Sequence, residues 1–326
     1  MGGSLKKLGV LGTMIWDTIV GRDPAAAPFE EWGGISYAFA ALDASLPAGW
    51  QIVPIVKVGS DLAERAHAFL RGLGTASGVR FVEVPTANPR VKLDYQTRER
   101  RCEGLKGGVP PWTWAELGPM VLDLDALYVN FITGFECDLA TAQALRQAFH
   151  RPLYGDIHSL ALGIRADGLR QLRRIEEPLA WLSCFDVAQL NEDEMHQMGD
   201  APLELAALAV ARGVQAVCVT LGARGAVYVA APGFDGLAGA GAVAPRGGAG
   251  VVRTARIETA GEPVSGDPTG CGDVFGSTLF ARLLAGEALE PAIREANRMA
   301  RRNVSYRGAT GLQHHLRGAL ATAAGR

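Results

Sequence analysis

The sequence predicts an α/β protein in which a mainly parallel sheet lies between two helix layers, with a small β-sheet lid set on it. Three observations carry this. From Ala126 to Thr220 short apolar runs alternate with helical patterns, the rhythm of β-then-α units that place parallel strands under helices on both faces. Several of these runs are apolar throughout, as strands covered on both sides are. One segment, Val79 to Gly108, changes character: Val91-Lys92-Leu93-Asp94-Tyr95 alternates apolar and polar residues, the period of a sheet with one wet face.

Taken in order, Leu8 to Val20 reads as a buried strand entering a second extended piece, and Ile35 to Leu42 as a buried helix after Gly33-Gly34. Gln51 to Val58 is a strand, and Asp61 to Leu73 a helix closed by Gly74. After the lid strands, Ala126 to Ile132 is a strand, Leu139 to Phe149 a helix, Pro152 to Ile157 a strand and Gly168 to Ile175 a helix. Arg170, Arg173 and Arg174 would share one solvated face of that helix. Trp181 to Leu190 holds the next strand, Glu192 to Met198 a short helix, Leu203 to Arg212 a helix and Ala216 to Thr220 a strand. Gly233 to Gly250, rich in Gly and Ala, is a flexible connector. Its Gly239-x-Gly241 has no third glycine and opens no helix, which argues against a dinucleotide fingerprint.

Composition narrows the function classes. A net charge of −2 over 326 residues gives no electrostatic ground for nucleic acid or an anionic membrane. No apolar run reaches the roughly 18 residues that a membrane span needs. Met1 to Lys6 carries no signal-peptide core. The five cysteines are odd in number and form no Cys-x-x-Cys, against a disulfide framework or a cysteine zinc site. A reducing cytoplasm is the expected location. No Gly-x-x-x-x-Gly-Lys-Ser/Thr occurs, which removes the P-loop NTPases.

The residues that carry chemistry are Thr269-Gly270-Cys271-Gly272-Asp273, followed by the amphipathic helix pattern Val274 to Leu284. Small residues at 270 to 272 admit a ligand close to the backbone, and unpaired amides at a helix N-terminus, with the dipole behind them, bind anions. Asp273, an acid in the first turn, would stand beside the bound phosphate and take a proton from an attacking hydroxyl. The plainer reading is a glycine turn with Asp273 as a capping acid. Asn191-Glu192-Asp193-Glu194 is likewise a capped helix start by itself. Thr220-Leu221-Gly222-Ala223-Arg224-Gly225 is a turn with Gly225 at positive φ.

Together these segments resemble the ribokinase-like, or PfkB, carbohydrate kinases, whose C-terminal signature is Asp-Thr-x-Gly-Ala-Gly-Asp. Here it stands as Asp267-Pro268-Thr269-Gly270-Cys271-Gly272-Asp273. The resemblance implies one ribokinase-like three-layer α/β/α domain over 1–326, with lid strands from about 14–32 and 79–108. It implies Asp273 as catalytic base and Gly270, Cys271 and Gly272 as the anion hole. ATP would lie along Thr220, Gly222 and Gly225, with Asn191 near its phosphates and Asn297 near the adenine. Glu194 would order water around Mg²⁺. Asp267 would help hold a monovalent cation, K⁺, with Gly308 of Arg307-Gly308-Ala309 close by. Asp17, with the Gly33-Gly34 backbone alongside, would hydrogen-bond a sugar or nucleoside acceptor, and lid strands would pair two copies into a homodimer.

The acceptor end departs from the pattern. Ribokinase has Asn two residues before its sugar-binding Asp, where this chain has Ile15; the Asn of Gly-Gly-x-x-x-Asn is Ala38, and the Lys that phosphosugar kinases carry after Gly-Gly is Ile35. A site built on hydrogen bonds loses affinity with each missing partner, so ribose and phosphosugars are not the expected substrates. Trp16, Tyr37 and Phe39 are candidates for an aromatic wall suited to a nucleoside or an unusual polyol, with core packing the alternative for Phe39. His158, in Asp156-Ile157-His158-Ser159 after a strand, faces the crevice as a substrate contact or as a hydrogen-bonded loop residue. A non-catalytic, ligand-binding protein on the same fold is the competing reading.

Overall fold

A computed structural model describes residues 4–20, 27–95, 101–237, 250–262 and 264–319. The first strand, β1 (Lys6–Leu11), runs through Gly12-Thr13 into β2 (Met14–Val20), and β3 (Phe29–Gly34) leads into α1 (Ile35–Ser45). Then come β4 (Trp50–Gly59), α2 (Ala63–Arg71), β5 (Arg80–Val84), β6 (Arg90–Tyr95) and β7 (Arg101–Lys106). The middle of the chain holds α3 (Trp114–Val121), β8 (Ala126–Asn130), α4 (Leu139–Ala148), β9 (Leu153–Asp156), β10 (Leu162–Ile164) and β11 (Arg170–Leu172). It continues with α5 (Pro178–Leu182), β12 (Val187–Asn191), α6 (Glu192–Met198), α7 (Pro202–Ala211), β13 (Ala216–Thr220), β14 (Ala226–Ala230) and β15 (Arg253–Ile257). Three helices close it: α8 (Cys271–Leu284), α9 (Leu289–Asn303) and α10 (Leu312–Arg317).

The large sheet has nine strands in the order β15-β14-β13-β12-β9-β8-β1-β4-β5. Every pairing from β5 to β13 is parallel, while β14 and β15 add on antiparallel. The strands that carry this are the apolar ones: β8 and β9 are buried at every position, so each needs helix cover on both faces. That cover comes from α1, α8, α9 and α10, which pack together, and from α3, α4, α5 and α7, which pack in series. From β1 the chain proceeds to β4 and β5 on one side and to β8 and beyond on the other. The order therefore reverses between β1 and β8, where open α/β sheets bind their ligands.

The lid is a separate four-stranded sheet, β3-β2-β6-β7. Its pivot is knotted by Asn88. The side chain of this wholly buried residue accepts from Gly59 N (3.0 Å) and donates to Met14 O (2.9 Å), and its own amide donates to Asp61 (2.8 Å). The Gly59-x-Asp61 pattern thus serves the hinge: a Cβ at Gly59 would lie 2.2 Å from Asn88 N.

Several sequence expectations need correction. Of the 79–108 segment only β6 and β7 join the lid; β5 pairs with β4 as an edge of the large sheet. Gly168 to Ile175 is not a helix: β10 and β11 form an antiparallel hairpin. Its turn is Asp167-Gly168, with Gly168 at φ 80°, an Asp-Gly pair of the kind that turns hairpins. Trp181 to Leu190 divides into α5 and β12, and α2 ends on Arg71 before Gly72 rather than at Gly74. The unforeseen α3 starts from a reciprocal capping box of Thr113 with Glu116. Residues 21–26 and 96–100 of the expected lid segments, and 238–249 with Gly239-x-Gly241, lie outside the described residues.

Candidate active site

A cleft of about 1610 Å³ runs along the carboxyl ends of the strands, between the sheet and the lid, and takes in Asp17, Gly34, Asp156, Asn191, Glu194, Thr220 and residues 264–273. At its centre α8 begins. Gly270 is its N-cap at φ 76°, and a Cβ there would lie 2.3 Å from the ring of buried Tyr37. Only glycine meets both demands. The Cys271 amide donates back to Pro268 O (3.1 Å), so the first-turn amides from Gly272 onward are those that helix geometry leaves without an i−4 acceptor. Behind the loop, Asp267 Oδ1 accepts from Thr269 N (2.9 Å) and Thr269 Oγ1 (2.6 Å). Asn303, wholly buried, donates to Thr269 O (2.8 Å) and to Cys271 Sγ (3.4 Å), and its Oδ1 has no protein donor.

Asp273 projects from the first turn of α8 and is half-buried. Asn130, the last residue of β8 and fully buried, donates from Nδ2 to Asp273 Oδ1 (2.8 Å). One carboxylate oxygen is thereby fixed across the switch point. Beneath it, Gln189 donates from Nε2 to Gly272 O (3.0 Å) and Asp156 Oδ2 (3.1 Å) and accepts from Tyr154 OH (2.6 Å). Gln189 thus ties the anion loop to β9 and β12. It also explains Gly276, where a Cβ would lie 2.0 Å from Gln189 Oε1.

Two further carboxyls close the floor. Burial, with the charges of Asp273 and Glu194 adding to it, raises Asp156 well above the carboxylate range. Asp156 Oδ1 has no hydrogen-bond partner. Glu194 is 5% exposed, and burial pushes it up to about 8 despite the Asn191 amide that lowers it. Asn191 and Glu194 form a reciprocal capping box: Glu194 N donates to Asn191 Oδ1 (2.9 Å) and Asn191 N to Glu194 Oε2 (2.7 Å). His158 Nδ1 is 3.9 Å from Glu194 Oε1. Among the described residues no three His, Cys, Asp or Glu side chains converge as a metal cage.

At one end of the cleft, Thr220 ends β13 and Gly222 (φ 59°) and Gly225 (φ 93°) shape the turn into β14. A Cβ at Gly225 would lie 2.1 Å from Ile257 O, so the turn lies flat against the end of β15. Asn297, on α9, lines the same end of the cleft and donates to Ile257 O (3.1 Å). On the acceptor side, Asp17 points inward from β2 and is 5% exposed. A Cβ at Gly33 would lie 1.8 Å from Asp17 Oδ2, so the carboxylate rests on that glycine. Gly34, at φ 57°, turns the chain into α1.

Comparison with known proteins places this geometry beside solved folds. Residues 163–315 match the family model described as pfkB family carbohydrate kinase. Over that stretch, a little under half of its length, the chain resembles the pfkB family. No curated protein sequence is significantly similar to it, but solved structures share the whole fold. A pyrophosphate-dependent kinase of the ribokinase family, in a sulfate complex, superposes with a TM-score of 0.72 at 16% identity, covering 96% of this chain and 100% of that one. Burkholderia thailandensis nucleoside kinase in complex with inosine gives 0.69 at 19% identity, covering 94% of each chain. Ribokinase from Thermotoga maritima gives 0.69 at 17%, covering 96% and 98%.

The residues expected from sequence, Gly33 and Gly308 apart, line one cleft, while other expectations are amended. Phe39 is fully buried in the core, Tyr37 packs beneath Gly270, and Trp16 stands edge-on to Trp32 under the Arg65 guanidinium. Trp16 and Phe39 lie outside the cleft lining, and Tyr37, 2% exposed, meets the cleft beneath Gly270. Arg170 does not belong to a solvated helix face: it donates to Thr133 O (2.8 Å), Ile132 O (3.4 Å), Leu162 O (3.4 Å) and Ser159 O (3.5 Å). Asn130, Gln189 and Asn303 escaped the sequence reading. For the first two a signal existed, since each is a polar residue set at or near the carboxyl end of an otherwise apolar strand.

Proposed function

We propose that this chain transfers the γ-phosphoryl group of ATP to a hydroxyl of a sugar, sugar derivative or nucleoside. The observation that carries the reading is the placing of Asp273: an acid in the first turn of α8, one oxygen held by Asn130 at 2.8 Å, midway along a cleft that joins Asp17 to the Thr220–Gly225 turn. The acceptor hydroxyl gives its proton to the Asp273 carboxylate as its own oxygen attacks the γ-phosphorus, and ADP leaves on the far side. First-turn amides and the helix dipole stabilise the charge on the phosphoryl oxygens. Burial favours the neutral form of Asp156, which removes one negative charge from a site that must admit a polyanion.

The residues fit the ions the family implies. Glu194, with Asn191 and Asp156 beside it, offers oxygen donors suited to hydrated Mg²⁺, which requires few direct protein ligands. Bound there, Mg²⁺ would offset the negative charge of the nucleotide phosphates. Asp267 and the unpartnered Oδ1 of Asn303 suit a monovalent cation behind the loop. Arg307, with Nε 3.9 Å from Asp267 Oδ2, adds positive charge at the same place.

The described cysteines 137, 184, 218 and 271 are free thiols, in keeping with a cytoplasmic setting. The open edge of β3 supports a homodimer formed at the lid, which light scattering in solution checks. The activity is tested by ADP release from Mg²⁺-ATP against a panel of sugars, polyols and nucleosides. Release that no acceptor stimulates would sink the reading in favour of a ligand-binding protein.

A further inference from the structure

Resting on that reading of the site, we propose that the β10–β11 hairpin is the specificity wall of the acceptor pocket. We propose further that it selects an acceptor carrying a flat, largely apolar group next to its hydroxyls: a nucleoside rather than a free sugar or polyol.

The argument starts from the lid. Strand alternation turns Ile15, Asp17 and Ile19 of β2 and Val91 and Leu93 of β6 into the cleft, so Asp17 is the one acid among aliphatic neighbours on those two strands. Opposite them stand Ile132 after β8 and, from the hairpin, Leu162 and Leu172. Leu172 is 46% exposed, an apolar side chain on a cleft wall. An acceptor with a hydroxyl on every carbon, placed between these surfaces, would strand hydroxyls against hydrocarbon at the cost of their hydrogen bonds to water. A nucleoside divides its chemistry as the pocket does. Its ribose hydroxyls meet Asp17, its base faces meet the aliphatic side chains, and the polar base edge reaches Gln171 of β11 and Glu103 of β7 at the rim.

The hairpin is built to hold such a wall in place. The four carbonyls that accept from Arg170 belong to the loops after β8 and β9 and to β10 itself. On its other side, Leu105 N of β7 donates to Gly168 O (3.0 Å), and Gly104 bridges to Leu169. The wall is therefore joined both to the strand ends and to the lid, and its geometry is set before the acceptor arrives.

The test uses the full chain with Mg²⁺-ATP and compares kcat/KM for purine and pyrimidine nucleosides with that for free pentoses, hexoses and inositols. Nucleosides should lead by at least about 10-fold. Leu172→Asp, at an exposed position, should raise the nucleoside KM about 10-fold or more with a smaller change in kcat, and Gln171→Ala should narrow the preference among bases. A free sugar or inositol leading every nucleoside would overturn this inference while leaving phosphotransfer intact. Nucleoside preference that neither variant alters would remove the hairpin as the wall. No acceptor-dependent turnover at all would overturn the phosphotransfer reading itself, and this inference with it.

Discussion

The two ends of the cleft, proposed above for phosphate and for acceptor, are built on opposite plans. At the phosphate end, loop, amides and base come from one stretch, residues 267–273 at the start of α8. At the acceptor end the pocket is assembled from β2, β3, β6, β7, the loop after β8 and the β10–β11 hairpin. Phosphoryl groups are the same in every nucleotide and are gripped largely by backbone, so a contiguous glycine-rich motif suffices. Acceptors differ, and a pocket drawn from many segments can change one wall at a time. Even the rigid supports reflect this. Asp273 is held by a hydrogen bond from Asn130, whereas the hairpin is pinned by one arginine to several carbonyls.

The comparison breaks most sharply at Asp273. Replacing it by Asn should lower kcat by roughly 10²–10⁴-fold with ATP affinity preserved, measured by initial rates beside calorimetric titration of nucleotide. Unchanged turnover would remove Asp273 as the base. Next in size is Gly33→Ala: its Cβ displaces the Asp17 carboxylate, and acceptor KM should rise by about 10²-fold, the scale of an ångström's misplacement. An equal loss of ATP affinity would show that the two ends are not separable. Asn130→Ala frees the Asp273 carboxylate, and kcat should fall about 10-fold with both KM values nearly unchanged, the loss of one positioning bond.

A pH series sharpens the picture at Glu194. Its folded value near 8 lies above the ordinary carboxylate value. The stability contributed by its neutral form is therefore full below about pH 4.5 and is lost as pH rises through about 8. Glu194→Gln should keep that stability, melting a few degrees higher than the parent at pH 8.5. Since a metal-side carboxylate must be ionised, the affinity of the parent for Mg²⁺-ATP should strengthen as pH rises toward 8. A flat profile would take Glu194 out of the metal site. The smallest effect belongs to Cys271→Ala, where a similarly small side chain keeps the loop and turnover should stay within about threefold; a larger fall would give the thiol a role beyond packing.

These differences also govern how much could be read in advance. The parallel sheet, the start of α8 and the turn at Gly225 were legible, because burial on both faces writes continuous apolar runs and close backbone approach writes glycines. The Asn191–Glu194 capping box was legible for the same local reason. The hairpin was missed because Arg170, Arg173 and Arg174 imitate a helix face, although Asp167-Gly168 marks a turn. Asn130 and Gln189 act across the sheet, on residues 143 and 83 positions away, and no local pattern encodes such partners. The aromatic wall failed because alternation along β2 turns Trp16 to the face away from Asp17, and helix packing consumes Tyr37 and Phe39.

The joining of β1 to β2 has a consequence for how this protein tolerates change. One stretch of chain passes from a strand inside the large sheet to Asp17 of the lid. A substitution that shifts β1 by a fraction of an ångström is therefore conveyed along the backbone to Asp17, since an extended strand has little slack to absorb it. Mutational drift in β1 should register as altered substrate preference before it registers as unfolding.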